Sequence, residues 1–189
     1  MYGIIEKPKR DFAYLQNLSI SDSSPYIVMG YSINTDIGLN GTVIPSYLDD
    51  TSIDTNIKSS ITHAISDAVD ILSSNGITNN YNNIGIVEYH KYTDTREIYL
   101  ALHEDDYGGV NYCVNTVIFY PTKTLHGANI NIYIEDNEDT LIETLDVTPR
   151  DDDIKIIYME GNVFHRITDI LSDGVRECIV VQLKCTNRN

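Results

Sequence analysis

The 189-residue sequence is poor in positive charge, in cysteine and in long apolar runs. Thirteen Lys and Arg stand against 28 Asp and Glu, a formal net charge of −15. Tight binding to nucleic acid needs a basic footprint that displaces counterions, so DNA and RNA are unsuitable partners for this chain. The acidic residues recur at 49–50, 104–106, 135–139 and 151–153, mostly in stretches that read as loops. A solvated, self-repelling surface is the plain reading of them. No apolar run approaches the length that spans a bilayer. The first twenty residues alternate charged and apolar positions and lack the continuous apolar stretch of a secretory signal. Three cysteines, Cys113, Cys178 and Cys185, form no CxxC pair. Neither a disulfide framework nor a zinc ribbon is implied, and a reducing compartment is expected. We therefore expect a soluble, intracellular protein that is not secreted, located in the cytoplasm or, for a viral chain, in the host cytoplasm or virion. Internal repeats, low-complexity tracts and Pro/Gly-rich linkers are also missing, so residues 1–189 read as one domain.

What the chain does contain is one helix and many strands. Ile57, Ile61, Ala64, Ile65, Ala68 and Leu72 recur at steps of three and four, which predicts a helix over 56–75. Asp54 or Asn56 caps its start, and Asn75-Gly76 stops it. His63 lies off that stripe and is expected to face solvent. From residue 84 onward, short β-branched and aromatic segments follow one another at 84–89, 97–105, 110–120, 128–134, 154–159, 162–167 and 176–184. Another lies at 25–33. Gly, Asp, Asn and Pro separate them. The stretches 34–56, 90–97 and 135–152 read as loops, His90 as a loop residue at a strand end and His126 as a turn residue. Many short strands with one packed helix predict a mainly β fold, a sandwich or jelly roll with the helix on its outer face.

Strand periodicity gives the polar residues geometry. Tyr99, Ala101, His103 and Asp105 share one face of their segment, and Asp106 points the other way. His165 sits between Val163 and Ile167 on another strand. Arg176, Cys178, Val180 and Gln182 share a face of the last strand. Two imidazoles and one carboxylate form a facial set that holds Fe(II) with coordination positions open. A guanidinium on a partly apolar face needs an anion, either a protein carboxylate or that of a bound molecule. In a chain this acidic an HxD pair arises often by chance, so the order matters more than any one piece. HxD closes a strand, a lone histidine follows 62 residues after His103, and Gly-x-Arg follows 11 residues after that.

With that order, segment 84–184 resembles the Fe(II)/2-oxoglutarate-dependent dioxygenase family on its double-stranded β-helix core, and the prolyl-4-hydroxylase-like branch most. "LHGANINIY" (125–133) resembles the family's Gly-Gly-x-Leu-x-Ile/Leu strand, and 145–167 its Pro, acidic turn, buried strand and distal histidine. The resemblance divides the chain into an N-terminal extension, 1–83, and a catalytic core, 84–185. It implies that His103, Asp105 and His165 bind Fe(II) and that Arg176 pairs with the distal carboxylate of 2-oxoglutarate. These four would be the catalytic set. It further implies O2 as co-reactant, ascorbate as a candidate auxiliary, and hydroxylation of a substrate C–H bond, the branch pointing to a peptidyl, prolyl-type side chain on a protein or peptide. The Gly-Gly pair is Gly127-Ala128 here. The tyrosine that assists the arginine falls on Phe119 in an ungapped reading and on Tyr120 after a one-residue shift, with Tyr99 a third choice. An arginine rather than a lysine on the late strand fits hydroxylases, and "ECIVVQLK" lacks the second arginine of the nucleic-acid demethylases. The rival reading is a non-catalytic jelly-roll structural or interaction protein, for instance in a viral assembly. A cupin-type metal enzyme is weaker, because the HxH pair and glutamate ligand are missing.

Overall fold

In the computed structural model, residues 1–21, 24, 26–37, 41–77, 81–92, 102–105, 112–122, 128–168 and 175–186 are described. Helix α1 runs Thr55–Ser74, as its periodicity requires. The Asp54 carboxylate accepts the Asn56 N–H at 2.8 Å, satisfying one of the orphan donors of the first turn. At the other end Asn75 caps the helix and Gly76 takes φ +83°, a conformation glycine adopts without steric cost. Ile61, Ala64, Ala68, Ile71 and Leu72 are buried along one stripe, while His63 is exposed, its ring 5.3 Å from that of Tyr14.

That stripe packs on a six-stranded antiparallel sheet. In chain order its strands are β1 (Tyr2–Pro8), β2 (Tyr26–Ser32), β5 (Tyr81–Tyr92), β6 (Tyr112–Tyr120), β9 (Asp153–Glu160) and β11 (Arg176–Thr186). Across the sheet they lie β1-β9-β6-β11-β5-β2. A short hairpin, β3 (Asp36–Ile37) with β4 (Val43–Ile44), stands apart. A second sheet, ordered β10-β7-β8, is made of β7 (Ile130–Tyr133), β8 (Leu141–Leu145) and β10 (Phe164–Ile167).

Alternation along each strand creates two cores. Val87, Tyr89, Val117, Phe119, Ile156, Ile179 and Val181 join α1 in the outer core. Ile118, Tyr120, Ile157, Met159, Cys178 and Val180 face Ile130, Ile132, Leu145 and Val163 in the inner one, between the sheets. The architecture is the expected double-stranded β-helix with a supporting helix. No helix among the described residues is long and apolar enough to cross a membrane.

Several elements escaped the sequence reading. β1 and a 3-10 helix at Lys9–Leu18 occupy the segment read only as lacking a signal. β1 exists because seven consecutive residues pair with β9, a tertiary contact that local pattern does not encode. The 135–152 loop contains β8 and a 3-10 turn at Glu138–Thr140. β8 leaves its first four residues exposed, so it carries no apolar alternation. His90 lies within β5 rather than in a loop, and 93–97 are outside the described residues. Cys113 is disulfide-bonded, against the expectation from cysteine spacing. The β6–β11 register places it opposite Cys185, a pairing of distant segments that spacing alone does not reveal.

Leu72 is fully buried under the sheet. Leu72→Ala is expected to lose about 2–5 kcal/mol of unfolding free energy, and Asp54→Ala about 1 kcal/mol, in urea titrations followed by circular dichroism.

Candidate metal centre

His165 lies on β10, opposite Ile132 of β7. His103 joins it through an isolated antiparallel bridge: His103 N–H donates to the His165 carbonyl at 3.0 Å, and His165 N–H returns a bond to the His103 carbonyl at 2.8 Å. Residues opposed in this way project side chains to the same side, and the two imidazole centroids lie 4.3 Å apart. Two residues on, the Asp105 Oδ1 stands 3.7 Å from His103 Nε2. One ligand atom from each of His103, Asp105 and His165 lies within 4.8 Å of the others. Asp105 and His165 are buried, whereas the His103 side chain is 37% exposed, so the cluster opens on that side.

Neighbouring groups prepare these atoms for a cation. Thr116 Oγ1 on β6 donates to Asp105 Oδ2 at 2.5 Å, which leaves Oδ1 for another partner. His165 Nδ1 lies 2.9 Å from the Val163 carbonyl. A carbonyl only accepts, so Nδ1 carries the proton and Nε2 presents its lone pair. Burial, opposed in part by the charge of Asp105, pushes His165 below the ordinary imidazole range and favours the neutral, ligating form. The donor set therefore fits a divalent first-row metal with open positions.

Arg176 opens β11 and is 1% exposed. Its NH2 donates to the Tyr120 hydroxyl at 2.9 Å. Its Nε and NH1 are buried without a hydrogen-bond partner among the described residues. Tyr92 and Tyr120 flank it, with ring centroids 5.5 and 5.4 Å from Cζ. A guanidinium is always charged, and two orphaned N–H groups in an apolar interior require an anion. Burial raises the Tyr120 phenol far above its usual range, so it keeps its proton. Because its oxygen already accepts from Arg176, that proton is available to an incoming anion.

All four ligand and anion residues named from the sequence are brought into this region. Of the three aromatic candidates, Tyr120 is the one that bonds Arg176 among the described residues. Phe119 is one step along β6, so it points into the outer core, its ring centroid 5.9 Å from that of Phe12, on the face opposite Tyr120. Tyr99, Asp106, His126 and Gly127 lie outside the described residues. Ala128 is buried at φ +56°, a left-handed conformation that favours glycine, which accounts physically for a glycine at this point of the family pattern. Thr116 and Tyr92 were missed. Period-two spacing from Tyr120 would have placed Thr116 on the inner face, but nothing local marks its bond to Asp105.

No family model and no curated protein matches the sequence. Solved structures do match it in shape. An oxidoreductase of the 2OG-Fe(II) oxygenase family from Burkholderia pseudomallei has a TM-score of 0.60 at 11% identity, covering 97% of this chain and 84% of that one. IDO from Bacillus thuringiensis gives 0.58 at 14%, covering 98% and 94%. A Pseudomonas putida prolyl-4-hydroxylase gives 0.55 at 7%, again covering 98% and 94%. At such identities the likeness is one of fold: the chain has the fold of Fe(II)/2-oxoglutarate oxygenases.

Thr116→Val removes the donor to Asp105 while keeping shape. Mn(II) affinity, measured by titration calorimetry, is expected to fall about 10- to 100-fold, with Thr116→Ser close to the parent.

Proposed function

We propose that this protein is an Fe(II)- and 2-oxoglutarate-dependent dioxygenase that hydroxylates a substrate C–H bond, a prolyl-type side chain of a protein or peptide. The observation that carries the reading is the conjunction of two features in one barrel. His103, Asp105 and His165 gather their ligand atoms within 4.8 Å, and Arg176 holds two buried nitrogens, Nε and Nη1, without a hydrogen-bond partner among the described residues. Thr116, which bonds Asp105, and Tyr120, which bonds Arg176, lie on the same face of β6, which supports reading cluster and guanidinium as one site.

His103, Asp105 and His165 would hold the iron, the carboxylate offsetting one of its positive charges. With iron, keto acid and O2 together, the site supplies the oxidising power to replace C–H by C–OH as the keto acid becomes succinate and CO2. Arg176, through N–H groups such as those on Nη1, would bind the distal carboxylate of the keto acid, and Tyr120 would add its hydroxyl proton. Thr116 and the Val163 carbonyl fix the ligand orientations. Ile118, Ile130, Ile132 and Val180 keep water from the reacting face. The 2-oxoglutarate reading is supported by that donor geometry and by the shared fold. The peptidyl substrate rests on the likeness to the P. putida hydroxylase, and the net charge of −15 argues against nucleic acid in its place.

The test is succinate formation from 2-oxoglutarate by purified protein with added Fe(II), with and without proline-containing peptides, and with mass spectrometry of the peptides for one added oxygen. Turnover is expected to require Fe(II) and to fall about a hundredfold or more in His103→Ala and Asp105→Ala. Protein that neither binds a divalent metal through these residues nor consumes the keto acid refutes the proposal.

A further inference from the structure

Arg176 stands opposite Tyr92 in the β5–β11 ladder. Residues two apart share a face, so Glu88, His90 and Tyr92 of β5 line up beside Val180, Cys178 and Arg176 of β11. They are joined in a chain. The Tyr92 hydroxyl lies 2.8 Å from His90 Nδ1, and His90 Nε2 lies 2.8 Å from Glu88 Oε2. Burial grades along it: Tyr92 is 2% exposed, and the His90 and Glu88 side chains are 17% and 25% exposed.

Hydrogen-bond bookkeeping gives this chain a direction. An ionised Glu88 only accepts, so Nε2 carries the imidazole proton. In the tautomer whose one proton is on Nε2, His90 offers a lone pair at Nδ1, and the Tyr92 hydroxyl donates into it. Its proton is thus committed away from the anion pocket. Tyr120, on the other side of the guanidinium, has the opposite assignment: its oxygen accepts from Arg176 and its proton is left for a ligand. The two tyrosines that sandwich Arg176 are therefore not equivalent. Tyr120 has a proton to offer a bound anion, and the Tyr92 hydroxyl is engaged by His90.

We propose that Glu88 and His90 are positioning residues of the anion pocket. By taking the Tyr92 proton they lock that ring against Arg176, so that the guanidinium keeps one orientation toward a distal carboxylate. This inference rests on the reading of Arg176 as the keto-acid anchor. Glu88 and His90 act through Tyr92 and touch neither metal nor keto acid.

The experiment compares anaerobic binding of 2-oxoglutarate and pyruvate to Mn(II)-loaded protein by titration calorimetry. Pyruvate keeps the keto-acid head and lacks the distal carboxylate. His90→Leu is expected to weaken 2-oxoglutarate about tenfold while leaving pyruvate within about twofold. His90→Asn, which retains an acceptor near the Nδ1 position, restores most of the affinity. Tyr92→Phe reproduces the His90→Leu loss by removing a single oxygen, and the double variant loses no more than either alone. Tyr92→Phe by itself serves as the test if His90→Leu does not fold. Unchanged 2-oxoglutarate binding in His90→Leu or Tyr92→Phe, or equal weakening of both acids, overturns the positioning role. A parent protein that does not prefer 2-oxoglutarate over pyruvate instead overturns the reading of Arg176 itself.

Discussion

Two backbone hydrogen bonds, one in each direction between His103 and His165, hold the molecule's chemistry together. His165 belongs to the smaller sheet. His103 meets it through an antiparallel bridge. The bridge superposes the two imidazoles and delivers Asp105 two residues later, where Thr116 of the larger sheet receives it. Three polar side chains from two distant parts of the chain thereby bring ligand atoms within 4.8 Å of one another. Such a cluster holds its order because both backbone and carboxylate are tied down before any cation arrives.

The second constraint is a charge enclosed in an apolar interior. Arg176 emerges among Cys178, Val180, Ile118 and Tyr120, where a guanidinium without an anion is costly. One hydroxyl satisfies one of its nitrogens, and the other two have no hydrogen-bond partner among the described residues. A ligand carboxylate that completes the set also stabilises the fold, since it binds only the folded state. The pocket is also a local exception in a chain whose net charge repels anions. A divalent cation at the neighbouring cluster would deepen that exception.

The larger sheet keeps these demands apart from those of stability. Its outer face is filled by α1 and aliphatic side chains, and its inner face carries Thr116, Tyr120 and Arg176. Phe119 and Tyr120 show how sharp the division is. Adjacent in the chain, one packs near Phe12 under the helix side and the other bonds Arg176. A shift of one residue in β6 would exchange their roles, and the pairing of β6 with both β9 and β11 fixes the register against that.

Helix α1 was legible because its periodicity and caps are local, and most strands because alternation and β-branching are local too. The residues of the candidate metal cluster were legible as well, since HxD, a later histidine and an arginine on a last strand keep their order in the chain. Tertiary structure alone decided the rest. β1 depends on a partner some 150 residues away, β8 on an edge that leaves it mostly exposed, and the Cys113 disulfide on register across two strands. The choice of Tyr120 over Phe119, the Thr116 bond and the Glu88–His90–Tyr92 chain likewise depend on which faces meet. Local physics fixes what a residue can do. Where a proton or a charge finds its partner is set by contacts between segments far apart in sequence, which no local pattern records.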